Sequence, residues 1–221
     1  RFCHSKTISV LDLGYSPPSN QYISTKKIGC VENYYPLGMV ICEDCGLLQT
    51  SYDVDSDVLF DDDYSYFSSY SKTWISHCEE LVDVIEERYS YQNGIVEIAS
   101  NDGYLLDIFN KRGIQAYGIE PTKSTAAVAI KRGLDVVNEF LTYDLAKRLV
   151  QERGEADVLI ANNVLAHVPN IQDFVKSIYT LLSDNGVALI EFPYAKNLVD
   201  GNQFDTIYHE HYSYLTLSAI N

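Results

Sequence analysis

The stretch GIVEIASNDGYLL, residues 94–106, contains a short strand, a loop and the start of a helix. Residues 95–98 are mostly apolar, Gly103 stands where a turn would close, and helical spacing resumes over residues 104–109. In nucleotide-binding α/β folds, such a loop brings backbone N–H groups and the positive end of a helix to a ligand at the carboxyl ends of the strands. We therefore expect the fold to be arranged around this loop.

The loop lacks the G-x-G-x-x-G pattern that lets backbone approach a pyrophosphate closely. Its small residues are spaced as Ala99, Asn101 and Gly103, with Ser100 between them, and Glu97 lies inside the strand. An acid followed by spaced small residues suits S-adenosylmethionine, which carries a sulfonium cation and no phosphate. These five residues are therefore the predicted start of a binding site for that cofactor.

Strand and helix patterns alternate from residue 94 onward, which predicts an α/β fold with a doubly wound, mostly parallel, Rossmann-like sheet. The predicted strands are 95–99, 116–120, 134–137, 157–161 and 186–191, and the predicted helices are 104–111, 123–132, 142–153 and 171–182.

Polar residues follow the second and fourth predicted strands. Glu120 ends the second strand at the distance from the loop glycine where an acid accepts the ribose hydroxyls of an adenosine, and Pro121 should start the next helix. Asn162 and Asn163 end the fourth strand and extend the predicted cofactor site. His167 follows and is predicted near the cofactor, with helix capping as the alternative role. A solvated surface acid is the alternative for Glu120.

The N-terminal part, residues 1–60, is predicted to be a zinc-ribbon-like module of loops and short strands. Cys42 and Cys45 form a C-x-x-C followed by glycine, which is typical of a zinc knuckle, and Cys3 fits the end of a second knuckle. His4 and Cys30 are possible substitute ligands. Free buried thiols are the alternative interpretation of isolated cysteines.

Composition limits the function classes. The chain has 221 residues, a net charge of −15 and a pI near 4.5, which argues against a nucleic-acid partner. It shows no apolar run of about 18 residues and no signal-peptide pattern, so we expect a cytoplasmic protein without a membrane partner, and a monomer. Five cysteines, an odd number, favour metal binding in a reducing compartment over disulfides.

Residues 61–93 are predicted to be a connector and a helix. The aspartates of residues 53–63 fail the calcium-loop pattern, because Val58 stands where an EF-hand needs glycine and Tyr64 where it needs glutamate. The following hydroxyl-rich segment, which includes Tyr64 and Tyr66, could meet a sugar or the cofactor, or could be a turn rich in capping residues. An amphipathic helix is predicted over residues 74–89.

The segment FDTIYHEHYSY, residues 204–214, concentrates titratable groups. On an extended chain His209 and His211 would face one side, and Tyr208, Glu210 and Tyr212 the other. A third metal ligand and the H-E-x-x-H spacing are both missing from the sequence. Acid–base chemistry is therefore the preferred interpretation of this segment, with metal binding as the alternative.

Taken together, these motifs resemble the sugar C-methyltransferases that act on nucleotide-linked ketodeoxysugars. The resemblance rests on CEDCG at 42–46, YSYFSSYS at 64–71, VEIASNDGYLL at 96–106, GIEP at 118–121, NNVLAHV at 162–168 and FDTIYHEHYSYL at 204–215. It implies an N-terminal zinc domain, a class I methyltransferase domain at 94–221 that binds S-adenosylmethionine, and a C-terminal lobe. This chain is expected to lack that lobe and the first zinc cysteine.

The resemblance also implies roles for single residues. His211 would remove the α-proton of a dTDP-4-keto sugar, and the resulting enolate would be methylated at C3. The residues alone leave His209 as a rival base, and the resemblance favours His211. Glu210 and Tyr208 would bind or orient the sugar. Hydrogen bonds to the enolate oxygen would come from His167 together with Tyr64 or Tyr66.

Three alternative functions agree with parts of the sequence to different extents. A small-molecule O- or N-methyltransferase on the same cofactor domain would need no carbon base. An NAD-dependent reductase fits poorly, because the glycine loop is wrong and the Y-x-x-x-K pattern at Tyr22 to Lys26 precedes the nucleotide loop. A scaffold protein with a degenerate cofactor domain would fail to bind S-adenosylmethionine.

Overall fold

The computed structural model describes residues 1–60 and 66–220, which fall into two compact units. The antiparallel unit comprises residues 1–60, 165–171 and 192–220, and the parallel unit comprises residues 66–164 and 172–191. No helix among the described residues is long and apolar enough to cross a membrane.

Strands and helices are numbered in chain order. The strands are β1 Thr7–Ser16, β2 Tyr35–Cys42, β3 Leu48–Thr50, β4 Ile95–Ile98, β5 Ala116–Ile119, β6 Val136–Val137, β7 Ala156–Asn162, β8 Leu182–Glu191 and β9 Ser213–Tyr214. The helices are α1 Ser56–Leu59, α2 Lys72–Arg88, α3 Tyr104–Lys111, α4 Lys123–Lys131, α5 Tyr143–Arg153, α6 Ile171–Leu181, α7 Ala195–Asp200 and α8 Leu217–Ile220.

The parallel unit contains the predicted doubly wound sheet. Its strand order is β6-β5-β4-β7-β8, and every pair is parallel. The chain winds outward from β4 to β5 and β6, then returns to the other side of β4 to form β7 and β8. The order therefore reverses beside β4, and ligands of open α/β sheets bind at the carboxyl ends of the strands at this point.

Burial explains why β4 is the central strand. All four of its residues are buried, as expected for a strand covered by helices on both faces. Phe109 of α3 and Val82 and Ile85 of α2 are fully buried in the same core as Ile95. Helix α2 begins at Lys72, because the Ser71 hydroxyl accepts a hydrogen bond from the Trp74 backbone N–H and so caps the first turn. The predicted amphipathic helix is confirmed.

The antiparallel unit is built on a sheet with the order β1-β2-β3-β9. The strand β1 is ten residues long, so the expectation of loops and short strands in this part of the chain was wrong. Its pairing with β2 shifts register twice, between Ser9 and Leu11 and between Asp12 and Tyr15.

Strand β9 joins residues from the far end of the described chain to the N-terminal sheet. Leu48 pairs with Tyr214 and Gln49 with Ser213, and Tyr214 packs with Met39 and Ala195 in a buried cluster. The compact units therefore divide the chain differently from the expected domains at 1–60, 61–93 and 94–221. Those domain boundaries stay a prediction.

Candidate active site

The loop after β4 is held in a left-handed conformation at alternate residues. Ala99, Asn101 and Gly103 have φ angles of 54°, 50° and 78°. At Gly103 space is also limiting, because a Cβ atom would lie 2.3 Å from Cδ1 of Leu134. The spaced small residues of the sequence are thus the positions where the backbone turns.

Asn101 ties this loop to the hydroxyl-rich segment. Its Oδ1 accepts hydrogen bonds from the backbone N–H groups of Ser68 and Asp102, and its Nδ2 donates to the carbonyl of Tyr66. The side chain of Tyr66 is exposed, and Tyr64 lies outside the described residues. Their predicted contact with an enolate therefore stays a prediction.

Several polar atoms at the carboxyl ends of β4 and β7 are buried without a partner in the described part of the chain. They are both carboxylate oxygens of Glu97, the hydroxyl of Ser100 and Nδ2 of Asn162. Buried polar groups in native proteins are almost always hydrogen-bonded, so unpaired ones need an explanation. A polar, cationic ligand would satisfy them, and S-adenosylmethionine fits this set of groups.

Glu97 is the titratable side chain among these groups. It is fully buried, and burial raises the pKa of its carboxyl well above the usual value, an effect that the negative charges of Glu120 and Asp102 increase. The nearby Tyr104 hydroxyl opposes the rise, although it does not meet hydrogen-bond geometry with either Glu97 oxygen. Tyr104, the first residue of α3, was not among the site residues predicted from the sequence.

Glu120 is also buried, but its carboxylate is well satisfied. It accepts hydrogen bonds from the backbone N–H groups of Asn101 and Thr122, at 2.8 and 2.9 Å, and from the Thr125 hydroxyl. Burial raises its pKa, and these hydrogen bonds oppose the rise. A ribose hydroxyl that binds Glu120 would therefore donate to a carboxylate that already accepts hydrogen bonds from the neighbouring loops.

The segment after Glu120 differs from the prediction in one detail. Pro121 was expected to start the next helix, but α4 begins at Lys123 with Thr122 as its N-cap. The carbonyl oxygens of Glu120 and Pro121 accept hydrogen bonds from Nδ2 of Asn138. These bonds hold the residues that precede the helix in an extended conformation.

The end of β7 is fixed by β8. Asn163 has a φ of 55°, its backbone N–H donates to the carbonyl of Glu191 at 2.8 Å, and its side chain donates to the Glu191 carboxylate. The same carboxylate pairs with Nε2 of His77 at 2.6 Å. The neighbouring Asn162 amide is buried, and its Nδ2 makes no hydrogen bond of good geometry in the described part of the chain.

Three cysteines form a candidate metal centre in the antiparallel unit. The sulfur atoms of Cys3, Cys42 and Cys45 all lie within 4.8 Å of one another, and those of Cys3 and Cys42 are 3.3 Å apart. Tetrahedral zinc with bonds of about 2.3 Å to sulfur needs sulfurs about 3.8 Å apart, so the three thiols fit zinc. Hydrogen bonds from the Ser5 backbone and the Cys42 thiol lower the pKa of Cys3 to about 6. His4 and Cys30 do not belong to this group.

His211 is held by two hydrogen bonds within the antiparallel unit. Its Nδ1 lies 3.2 Å from the Thr206 carbonyl oxygen, which can only accept, so the proton is assigned to Nδ1. The Nε2 lone pair then accepts from the Tyr208 hydroxyl at 2.9 Å. Burial lowers the pKa of His211, against the effect of the Thr206 hydrogen bond. The imidazole is therefore neutral and basic at Nε2.

His167 lies beside this pair. Its ring centroid is 4.7 Å from that of His211, and its Nδ1 is inaccessible and has no partner among the residues described. Burial and the neighbouring His211 lower the pKa of His167 to about 3. The sequence placed this histidine near the cofactor, a placement that stays a prediction.

The predicted alternation of residues 208–212 was wrong. A hydrogen bond from the His211 N–H to the Tyr208 carbonyl closes a turn, so Tyr208 and His211 lie together. His209 is buried with its Nε2 3.2 Å from the Pro36 carbonyl oxygen. Alternation holds only for an extended backbone, and the turn removes it.

Glu210 points to a different part of the antiparallel unit. It is buried, and its Oε1 accepts hydrogen bonds from the Ser19 hydroxyl at 2.9 Å and from Nδ2 of Asn20 at 2.7 Å. No sequence signal identified Ser19 or Asn20, because the contact joins residues about 190 positions apart.

Comparisons with known proteins agree with this architecture. Residues 74–221 match the family described as "Methyltransferase domain", and residues 1–60 match the family described as "Putative zinc binding domain". The chain is 31% identical over its whole length to C-methyltransferase NovU of Streptomyces niveus, and it spans about half of that relative, 53%.

Solved structures of methyltransferases share the fold. A SAM dependent methyltransferase from Archaeoglobus fulgidus superposes with a TM-score of 0.54 at 14% identity, over 66% of this chain and 65% of the other. The plantazolicin methyltransferase BamL, solved with a substrate analogue and SAH, gives a TM-score of 0.51 at 17% identity, over 66% of this chain and 57% of the other.

Proposed function

This chain belongs to the S-adenosylmethionine-dependent methyltransferase family, and we propose that it methylates a carbon atom next to the ketone of a nucleotide-linked deoxysugar. The preferred substrate is a dTDP-4-keto sugar, methylated at C3. Two observations support the choice of carbon over oxygen or nitrogen. They are the similarity along the whole chain to a C-methyltransferase and the basic site at His211.

The contact between Tyr208 and His211 carries the proposal. Methylation of carbon requires removal of a weakly acidic proton beside a carbonyl, so a base that is neutral at working pH is needed. Nε2 of His211 meets this requirement, because Nδ1 is committed to the Thr206 carbonyl and burial disfavours the imidazolium form. We assign proton removal to Nε2 of His211. The Tyr208 hydroxyl, which donates to this lone pair in the structure, would turn to the sugar when the sugar binds and so free Nε2 to accept the proton.

The enolate oxygen needs hydrogen-bond donors once the proton has left. His167 is proposed as one of these donors from the family resemblance, and its ring lies beside that of His211, with 4.7 Å between the ring centroids. Tyr64 or Tyr66 is the second proposed donor. Glu210, which holds Ser19 and Asn20, supports the sugar site by fixing the turn that carries His211.

The cofactor site is assigned to the loop after β4 and its neighbours. The proposed residues are Glu97, Ala99, Ser100, Asn101, Gly103, Glu120, Pro121, Asn162 and Asn163. S-adenosylmethionine supplies the methyl group when it is bound. The chain's own part is to shape the left-handed loop beside the cofactor and to offer the buried carboxyl of Glu97 and the buried amide of Asn162.

The cysteine cluster is assigned a structural zinc ion. Cys3, Cys42 and Cys45 hold together the start of the chain and the hairpin between β2 and β3. Because β3 also pairs with β9, zinc binding would support the sheet next to the segment that carries His211.

The test is the fate of a labelled methyl group. The protein is incubated with a dTDP-4-keto-6-deoxysugar and S-adenosylmethionine carrying a ¹³C methyl, and the product is examined by NMR. A methyl carbon bonded to sugar carbon, with loss of the α-proton, is expected. A methyl bonded to oxygen or nitrogen would replace the proposal with the runner-up function, and failure to bind S-adenosylmethionine would favour a scaffold.

A further inference from the structure

Glu97 is a charged residue type in an unusual environment. It lies in the central strand β4, none of its surface is exposed, and neither of its carboxylate oxygens makes a hydrogen bond of good geometry with residues 1–60 and 66–220. The Tyr104 hydroxyl and the Leu106 backbone N–H lie near enough to oppose the rise of its pKa, but burial outweighs them. An ionised carboxylate without a partner in the protein interior is strongly disfavoured, and such a group takes up a proton instead.

Among residues 1–60 and 66–220, the side chains with the largest effects on the Glu97 pKa carry no positive charge. The titratable groups that act on it are Tyr104 from α3, Asp102 from the loop, Glu120 after β5 and Cys78 from α2. Each of these side chains is neutral when protonated and negatively charged when deprotonated, so none of them can carry a positive charge.

The guanidinium of Arg132 contacts the loop that follows β4, but it is already engaged. Arg132 donates to the Asp102 carbonyl oxygen and pairs with the Asp107 carboxylate at 2.9 Å. Full burial without a neighbouring positive charge therefore favours the protonated form of the Glu97 carboxyl when no ligand is bound, and burial raises its pKa well above the usual value.

The proposed cofactor changes this balance. S-adenosylmethionine carries a sulfonium and an ammonium against a single carboxylate, so its amino acid end brings excess positive charge into the site. An adjacent positive charge in a medium of low dielectric constant favours the ionised form of a carboxyl group.

We propose that Glu97 releases a proton when S-adenosylmethionine binds and becomes the buried carboxylate that balances the positive charge of the cofactor. The inference rests on the proposed function only in that the loop after β4 holds the cofactor. In this step the O–H bond of the carboxyl breaks and its electron pair stays on the oxygen. The proton passes to the buffer, so the site gains one negative charge against the charge of the ligand.

Calorimetry measures this directly. Titration of S-adenosylmethionine into the protein at one pH, in buffers of different ionisation enthalpy, gives the number of protons released as the slope of heat against ionisation enthalpy. We expect up to about one proton per bound cofactor, and an affinity that rises with pH by up to about tenfold per unit, because binding is linked to deprotonation.

Glu97→Gln removes the titrating proton and keeps the shape of the side chain. It should lower the proton release to near zero and flatten the pH dependence. Glu155→Gln, the same change at an exposed acid, should leave both unchanged. An infrared difference spectrum of the unsubstituted protein gives a second reading, in which the signal of a protonated carboxyl should disappear on binding.

The outcomes separate the two proposals. Binding of S-adenosylmethionine without proton release, or release that persists in Glu97→Gln, overturns the role of Glu97 and leaves the proposed function standing. Absence of binding overturns the cofactor site itself. If Glu97→Gln does not fold, the buffer series and the infrared signal of the unsubstituted protein still decide the question.

Discussion

The hydroxyl group of Tyr208 lies 2.9 Å from Nε2 of His211, within a turn closed by a hydrogen bond between the backbones of the same two residues. Tyr214 of β9 fixes this turn, because its hydroxyl accepts from the Tyr208 N–H and donates to the Thr206 carbonyl. The candidate base is therefore held through a strand of the antiparallel sheet rather than by a flexible loop.

Replacement of His211 tests the base. In an active enzyme, His211→Ala should keep the affinity for S-adenosylmethionine but lose roughly 10² to 10⁴ in turnover, the range for a removed general base. Exchange of the substrate α-proton with deuterated solvent, measured by NMR without cofactor, should also be lost. His209→Gln, whose amide nitrogen takes the position of Nε2 and can still donate to the Pro36 carbonyl, should retain exchange. The opposite pattern would move the base to His209.

The low pKa of His167 predicts a pH dependence of stability. Its pKa in the folded protein, about 3, is below the ordinary value of 6.5, so between these values the unfolded chain binds more protons. The stabilisation that the neutral His167 side chain provides is therefore greatest above pH 6.5, and it is lost as the pH falls from 6.5 towards 3. His167→Asn, which cannot titrate, should reduce the slope by at most about 1.4 kcal/mol per pH unit.

Chemical denaturation of both proteins from pH 4 to 7 provides the measurement. Carboxyl groups titrate in the same range, so the difference between the two proteins is compared, not either curve alone. Parallel curves would show that His167 keeps an ordinary pKa in the folded protein.

The left-handed loop residue Gly103 offers a matched pair of glycine substitutions. Gly103→Ala should destabilise the protein by about 1 to 3 kcal/mol, because the new methyl group would meet Leu134 and Ala129 as well as a strained backbone. Gly113→Ala has a similar φ, 72°, but open space around it, so it should cost only about 1 kcal/mol. Denaturation of both variants measures the difference, and equal losses would exclude crowding at Gly103.

S-adenosylmethionine titration of the same variants extends the test to the cofactor. Gly103→Ala should weaken binding, since the loop must shift to relieve the clash, whereas Gly113→Ala should bind normally.

Two cysteines provide a matched test of the zinc site. Protein purified without chelator should contain about one zinc ion per chain, and Cys42→Ser should lose it together with stability of the antiparallel unit. Cys30→Ser, at an exposed thiol outside the cluster, should keep both. Metal analysis and thermal unfolding check this, and equal zinc content in the two variants would exclude Cys42 as a ligand.

The parallel sheet could be predicted from the sequence because its signals are local. The alternation of apolar strands and amphipathic helices indicates each element within about ten residues, and parallel βαβ units leave few arrangements open. The spaced small residues Ala99, Asn101 and Gly103 likewise marked the turning positions of the loop. The three clustered cysteines were recognised for a similar reason, since metal ligands carry a specific residue type and spacing.

Tertiary structure alone decided which residues surround His211 and what isolates Glu97. The pairing of β3 with β9 and the contact of Glu210 with Asn20 join positions far apart in the chain, and no local pattern encodes such contacts. The environment of a charged side chain likewise depends on the tertiary structure. A sequence shows that Glu97 is an acid, but only the packed structure shows that its carboxyl is buried without a partner, because burial depends on everything that folds around it.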